Sequence, residues 1–144
     1  MVDYYLICHC IELALKGFLR GKGYTIPKLV NIGHDLEKAI KHALAEGIEA
    51  HHQFTTAFLN DLAKANFCYK NKDFEYLLAG IVYLPKTPDV LLEGAGRLVA
   101  ELEKFCIDTA REHDNKESAH NPAFDEQNRA TNGAASGREG VSPA

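Results

Sequence analysis

At 144 residues the chain has the length of one domain with room for a single good core. Nearly half of its residues are apolar and a quarter are charged, the balance of a globular protein. A formal net charge of -4 excludes a general basic field for gripping nucleic acid, so any such contact has to come from a local patch. No apolar run approaches the roughly 20 residues that cross a bilayer. Asp3 interrupts the stretch where a secretory leader would be basic and then apolar. Cys8, Cys10, Cys68 and Cys106 lie in apolar helical runs without C-x-x-C spacing. Free thiols in a reducing, cytoplasmic setting are the expectation.

In chain order, residues 2–20 repeat apolar side chains as Leu6, Cys10, Leu13, Gly17 and as Ile7, Ile11, Leu15, Phe18, which predicts a helix with a wide apolar arc. Gly21 and Gly23 end it, and Pro27 falls in the loop that follows. A second helix is expected from Asn31–Asp35 to Gly47, with Leu36, Ile40, Ala43 and Leu44 inward and Asp35 and Glu37 at its positive end. A third covers roughly 50–68, with Phe54, Phe58, Leu62 and Ala65 on one side. Residues 69–86 mix aromatic and β-branched residues with Gly80 and Pro85, and read as a loop with one short helical turn or an extended piece at 81–84. The last helix is expected to take Thr87 as its cap and Pro88 as its first residue, and to run to about Glu112 with Leu91, Ala95, Leu98, Leu102 and Phe105 on one face. Gly94 and Gly96 weaken it by about 1 kcal/mol each relative to Ala, which makes sense where another helix passes close. Residues 114–144 carry a single large aromatic, Phe124, among Pro, Gly, Ser, Asn and Ala, and read as a disordered tail. The division is thus 1–113 for the helical domain and 114–144 for the tail, with no internal repeat. Short loops between such helices predict an all-α, antiparallel up-and-down bundle of four to five helices.

His9, Glu12, Lys16 and Arg20 recur at helical spacing as an ionic row on an otherwise apolar helix. One reading is a solvent face in which Glu12 and Lys16 form an i, i+4 pair worth a few tenths of a kcal/mol. The other is a ligand site. Lys16, Arg20, Lys22 and Lys28 form a run with no acid between Glu12 and Asp35. They either complement the negative end of the first helix or make a phosphate patch facing the positive end of the second. His34 either packs the turn into the second helix or contacts a ligand and moves a proton beside Glu12. Cys8, His9 and Cys10 cannot share one metal ion, because adjacent helix residues point about 100° apart. No metal site and no cofactor are expected, and "GKGY" lacks the flanks of a phosphate-cradling loop.

"HCIELALKGFLRGKG", followed by "GHDLEKAIKHAL", resembles the HEPN domain, the higher eukaryote and prokaryote nucleotide-binding family. "FEYLLAGIVYLP" and the final amphipathic helix fit the same pattern, so the resemblance spans residues 2 to about 112. It implies a helical bundle that commonly dimerises. Members act as metal-independent endoribonucleases, as nucleotide-binding modules, or as partners of small nucleotidyltransferases in toxin–antitoxin pairs. The chain departs from the family in starting almost at the "IELALK" helix, so that either the helix before it is missing or the true start lies upstream. The apolar surface this leaves uncovered points to a homodimer or a heteromeric protein partner. It departs again in lacking the Arg and His four to six residues apart that ribonuclease members carry, since none of Arg20, Arg97, Arg111, Arg129 and Arg138 is so followed. The leading expectation is therefore a non-catalytic HEPN-like module acting through association, with nucleotide or RNA as its ligand class and Glu12, Lys16, Arg20 and His34 as the ligand-binding set. The competing ones are an endoribonuclease with a non-standard site built from those same residues, and a scaffold bundle with no ligand.

Overall fold

A computed structural model describes residues 2–72, Leu84 and 88–120, with side chains as far as Glu112. Five α-helices occur among these: α1 (Val2–Gly21), α2 (Ile26–Ile32), α3 (Leu36–Ala45), α4 (Thr56–Lys70) and α5 (Asp89–His120). A 3-10 turn, Ile48–Ala50, follows α3. The chain is an all-α bundle, and none of its described helices is long and apolar enough to cross a membrane.

The apolar arc of α1 is the centre of the core. Ile11, Leu15, Phe18 and Leu19 are fully buried, and α1 packs against α2, α3 and α4. Its C-terminus closes as a Schellman motif: Tyr24 N–H donates to the Leu19 carbonyl, Gly23 N–H donates to that of Arg20, and Gly23 takes φ +92°. α1 and α5 run in the same direction, since Gly17 lies by Cys106 and Gly21 by Phe105 and Thr109. α4 and α5 run oppositely: Phe58 meets Gly94, while His52, six residues earlier, meets Glu101.

Several boundaries differ from those expected. Pro27 opens α2 rather than lying in a loop, because a proline in the first helical turn gives up no hydrogen bond. Gly33, at φ +68°, then turns the chain so that Asp35 caps α3. α4 starts at Thr56, where the Thr55 hydroxyl accepts from Phe58 N–H, instead of near residue 50. Tyr69 and Lys70 belong to α4, Asn71 and Lys72 form the turn that follows, and 73–83 and 85–87, with the expected cap Thr87, lie outside the described residues. α5 begins at Asp89, with the Pro88 carbonyl accepting from Leu92.

The chain divides into two compact units, Met1–Thr109 and Ala110–Ala144. In the second, α5 continues to His120, past the expected tail boundary at 113, because Arg, Glu, Lys and Ala propagate a helix without an apolar face. The remainder of the expected tail, 121–144, lies outside the described residues.

Gly94 has a packing reason. A Cβ there would sit 2.1 Å from Cδ2 of Phe58, whose ring is buried. Gly94→Ala should therefore lower stability by about 1–3 kcal/mol, the cost of overpacking, despite the better helix propensity of alanine. Urea unfolding measures this, and equal or higher stability would show that the ring can move aside.

Candidate functional site

The ionic row does not behave as one unit. Glu12 is buried, at 4% exposure, while Arg20 is exposed and donates from Nη1 to the Tyr24 carbonyl at 3.0 Å. Lys16 lies between them in sequence but turns to Glu12, with Nζ 2.6 Å from Oε1. The structure thus brings together three of the four expected site residues, Glu12, Lys16 and His34, and leaves Arg20 at the end of α1.

Two further elements complete the surroundings of Glu12. Tyr69, from the last turn of α4, donates its hydroxyl to Oε2 at 2.5 Å. His34, from the turn before α3, lies with Nδ1 3.0 Å from the same oxygen. An ionised carboxylate only accepts, so Nδ1 of His34 carries a hydrogen and Nε2 is the ring's other nitrogen. Tyr69 has one proton and gives it to Glu12. His9 Nδ1, 3.2 Å from the Tyr69 oxygen, is therefore a donor as well. The His34 ring stands edge-on to Tyr69 at 5.9 Å, and His9 stacks on Tyr5.

The turn that carries His34 is fixed from outside. Asn66 of α4 is fully buried. Its Oδ1 accepts from Leu36 N–H at 2.8 Å, and its Nδ2 donates to Asp35 Oδ1 and Glu37 Oε2. Asp35 also accepts from Lys38 N–H and pairs with Lys70 at 3.7 Å. The same α4 helix therefore sets both Tyr69 and the register of His34.

Burial pushes the Glu12 carboxyl up, but hydrogen bonds from Lys16, Tyr69 and His34 and the Lys16 charge outweigh it, and the net shift is downward. Glu12 is thus an anion. Burial, reinforced by the Glu12 hydrogen bond and charge, raises Tyr69, which remains a phenol and a proton donor. Burial opposes the ionised form of Asp35 too, yet its bonds with Asn66 and the Lys38 backbone lower it overall. The thiol of Cys8, buried against Cys68, is pushed up to about 12 and is inert as a nucleophile.

The expected phosphate patch is dispersed. Lys16 is held by Glu12, and Arg20 by a carbonyl. Lys22 lies over the Phe18 and Phe105 rings and Lys28 over Tyr24. The first amides of α3 are already met by Asn66 and Asp35, so its N-terminus has little left for an outside anion. Among the described residues, no three His, Cys, Asp or Glu side chains converge to hold a metal. Cys8 is buried while Cys10 is exposed.

Two participants were missed from sequence. Tyr69 reads as one more apolar residue of α4 until α4 is docked on α1. His52 is buried, with Nδ1 2.6 Å from Oε2 of Glu101 forty-nine residues later, a pairing no local spacing reveals. Compared with known proteins, the chain matches no family model, no curated protein and no solved structure.

The lowered Glu12 has a thermodynamic consequence. Its contribution to stability is fully present above the unfolded carboxyl value of 4.5 and is lost as pH falls through the lower folded value. Glu12→Gln should flatten the acid limb of stability against pH below about 4.5 relative to wild type. Asp35 acts with the same sign in both proteins, so the difference isolates Glu12. Parallel acid limbs in urea titrations would show that Glu12 is not held as an anion.

Lys16 and Arg20 should also part company in melting experiments. Lys16→Ala leaves a buried carboxylate short of a charged donor and should cost about 1.5–3 kcal/mol. Arg20→Ala should stay within about 0.5 kcal/mol. Equal effects would restore the row as a single solvent face.

Proposed function

We propose that the chain is a HEPN-like helical module that works in association with a protein partner and contacts a phosphate-bearing ligand, a nucleotide or RNA, at His34 and Lys16. The observation that carries this reading is His34 itself. Its side chain is 47% exposed, yet its orientation is set by a carboxylate that is 5% exposed. A histidine serving only to satisfy Glu12 has no need of so exposed a side chain. Lys16 retains ammonium hydrogens beyond the one given to Glu12, and its side chain is 21% exposed. Arg20 is not part of this set, since its guanidinium serves the α1 C-terminus. Membership of toxin–antitoxin systems, with a nucleotidyltransferase as partner, belongs to the same proposal and rests on the "IELALK" and "GHDL" resemblance.

A second reading is favoured by one specific feature, the hydrogen bond from His34 Nδ1 to Glu12. A carboxylate behind an imidazole fixes the tautomer and supports a proton taken up at Nε2. In an endoribonuclease, Nε2 of His34 would take the proton of a ribose 2′-hydroxyl as that oxygen attacks the adjacent phosphorus. The 5′-oxygen would leave and be protonated. The Arg–His pair of ribonuclease members is absent, so this reading stands second.

Titration of the full chain with ATP and with a short single-stranded RNA, at two salt concentrations, tests both. His34→Ala should weaken binding by about 1.5–3 kcal/mol, and Arg20→Ala should leave it unchanged. Affinity should fall with salt. RNA recovered intact in a chelator supports the binding module, and cleavage abolished by His34→Ala supports the second reading. A wild-type chain that binds neither ligand leaves the scaffold alone.

A further inference from the structure

Residues 13–34 carry Lys16, Arg20, Lys22 and Lys28 and no acid, in a chain whose net charge is -4. Lys16 is neutralised by Glu12. The other three keep their charge, because each is held by a neutral group. Arg20 donates to the Tyr24 carbonyl at 3.0 Å, Lys22 lies over the Phe18 and Phe105 rings, and Lys28 lies over that of Tyr24. Lys38 joins them from α3, with Nζ 2.7 Å from the Asn31 carbonyl near the end of α2. Among the described residues none of these four cations is in an ion pair, whereas Lys16, Lys64 and Lys70 are. One acid, Glu46, borders this face through its hydrogen bond with the Tyr24 hydroxyl.

The α2 helix sits among these cations. Arg20 and Lys22 precede it, Lys28 is on it and Lys38 reaches its end. Its Leu29 and Ile32 are buried in the core, while Ile26 and Val30, one helical turn apart, stay outside at 59% and 71% exposure. Val30 is the most exposed large apolar side chain among the described residues. A lone aliphatic side chain on a surface is ordinary, but a pair on one turn, flanked by four unpaired cations, has a chemical meaning.

We infer that this face rests on an anionic lipid surface, with Ile26 and Val30 entering the boundary between headgroups and acyl chains and Arg20, Lys22, Lys28 and Lys38 at the level of the phosphates. The charges are spread rather than convergent. That disqualifies them as a grip on one phosphate and suits a plane of phosphates, where each cation contributes on its own. An apolar pair set among cations is the composition by which a helix lies in a membrane interface without crossing it. Single-stranded RNA fits this face less well. Its bases stack on aromatic rings. The exposed apolar groups here are aliphatic, and the nearby Tyr24 ring already lies under Lys28. The inference goes beyond the proposed function and uses neither His34 nor the Glu12 network.

Co-sedimentation of the full chain with sucrose-loaded vesicles tests this. The chain should pellet with vesicles of equal parts phosphatidylcholine and phosphatidylglycerol, stay in the supernatant with phosphatidylcholine alone, and be released as salt is raised. Lys28→Gln should lower the affinity about fivefold, the effect of one cation at an anionic surface. Val30→Ser should lower it about tenfold, through the lost burial of one aliphatic side chain. Both side chains are exposed, so the circular-dichroism melts of the two variants should match that of wild type. Leu92→Ser, on α5 and also exposed, should pellet as wild type does, and so should His34→Ala, whatever its effect on ATP or RNA binding. A Val30→Ser variant that pellets as fully as wild type overturns the inference, because charge attraction alone would then account for binding. A wild type that stays in the supernatant with the anionic vesicles overturns it too, and if Lys28→Gln then weakens binding of a short single-stranded RNA, the face belongs to RNA.

Discussion

One buried carboxylate organises this molecule. Glu12 sits on the face of α1 that turns toward the α2–α3 turn and the end of α4, and a lone anion there would be costly. It is stable because a donor arrives from each neighbour: Lys16 from its own helix, His34 from the turn and Tyr69 from α4. Each donor comes from an element whose position is fixed by other contacts, above all through Asn66. Removing one partner therefore does more than lose a hydrogen bond. It leaves charge uncompensated at the junction of three elements, where apolar packing alone would tolerate several registers.

The same junction links fold to chemistry. An exposed histidine on a loop is ordinarily free to rotate and to exchange tautomers. His34 is not, since the Glu12 acceptor requires hydrogen at Nδ1 and so defines what Nε2 presents. The buried half of the network sets the properties of its exposed edge. His52 and Glu101 invert this arrangement: there the histidine is 3% exposed and the carboxylate 46%. That pair fastens the loop before α4 to α5, whereas in the first pair it is the histidine that is exposed.

Much of the fold was legible because it depends on local patterns. The arcs of α1, α3 and α5, the stop at Gly23 and the acidic start of α3 all follow from spacing and backbone freedom within a few residues. The α2 helix was not legible, because Pro27 signals a loop and a helix start equally well. Of the site, the meeting of Glu12 with His34 was legible as an alternative and Lys16 as a neighbour. Grouping Arg20 with them was not upheld by the geometry, because periodicity places side chains on a face and does not say which carbonyl lies at its end. Tyr69 was invisible: a tyrosine on an apolar helix face reads as core, and here it is both core and hydrogen-bond donor.

The row of charges on α1 thus resolves into a gradient across the helix. Glu12 faces the interior, His9 and Lys16 lie at the border, and Leu6 and Leu13 face outward where water would normally wet a polar surface. An amphipathic helix in a monomer has its polar side opposite its core. α1 has its polar residues at the edge and apolar residues on both broad faces, the pattern of a helix between two layers. Among the described residues, the chain itself supplies only one of those layers. Gly96 on the neighbouring α5 is open as well: among the described residues nothing lies within 4 Å of the place a Cβ would take there.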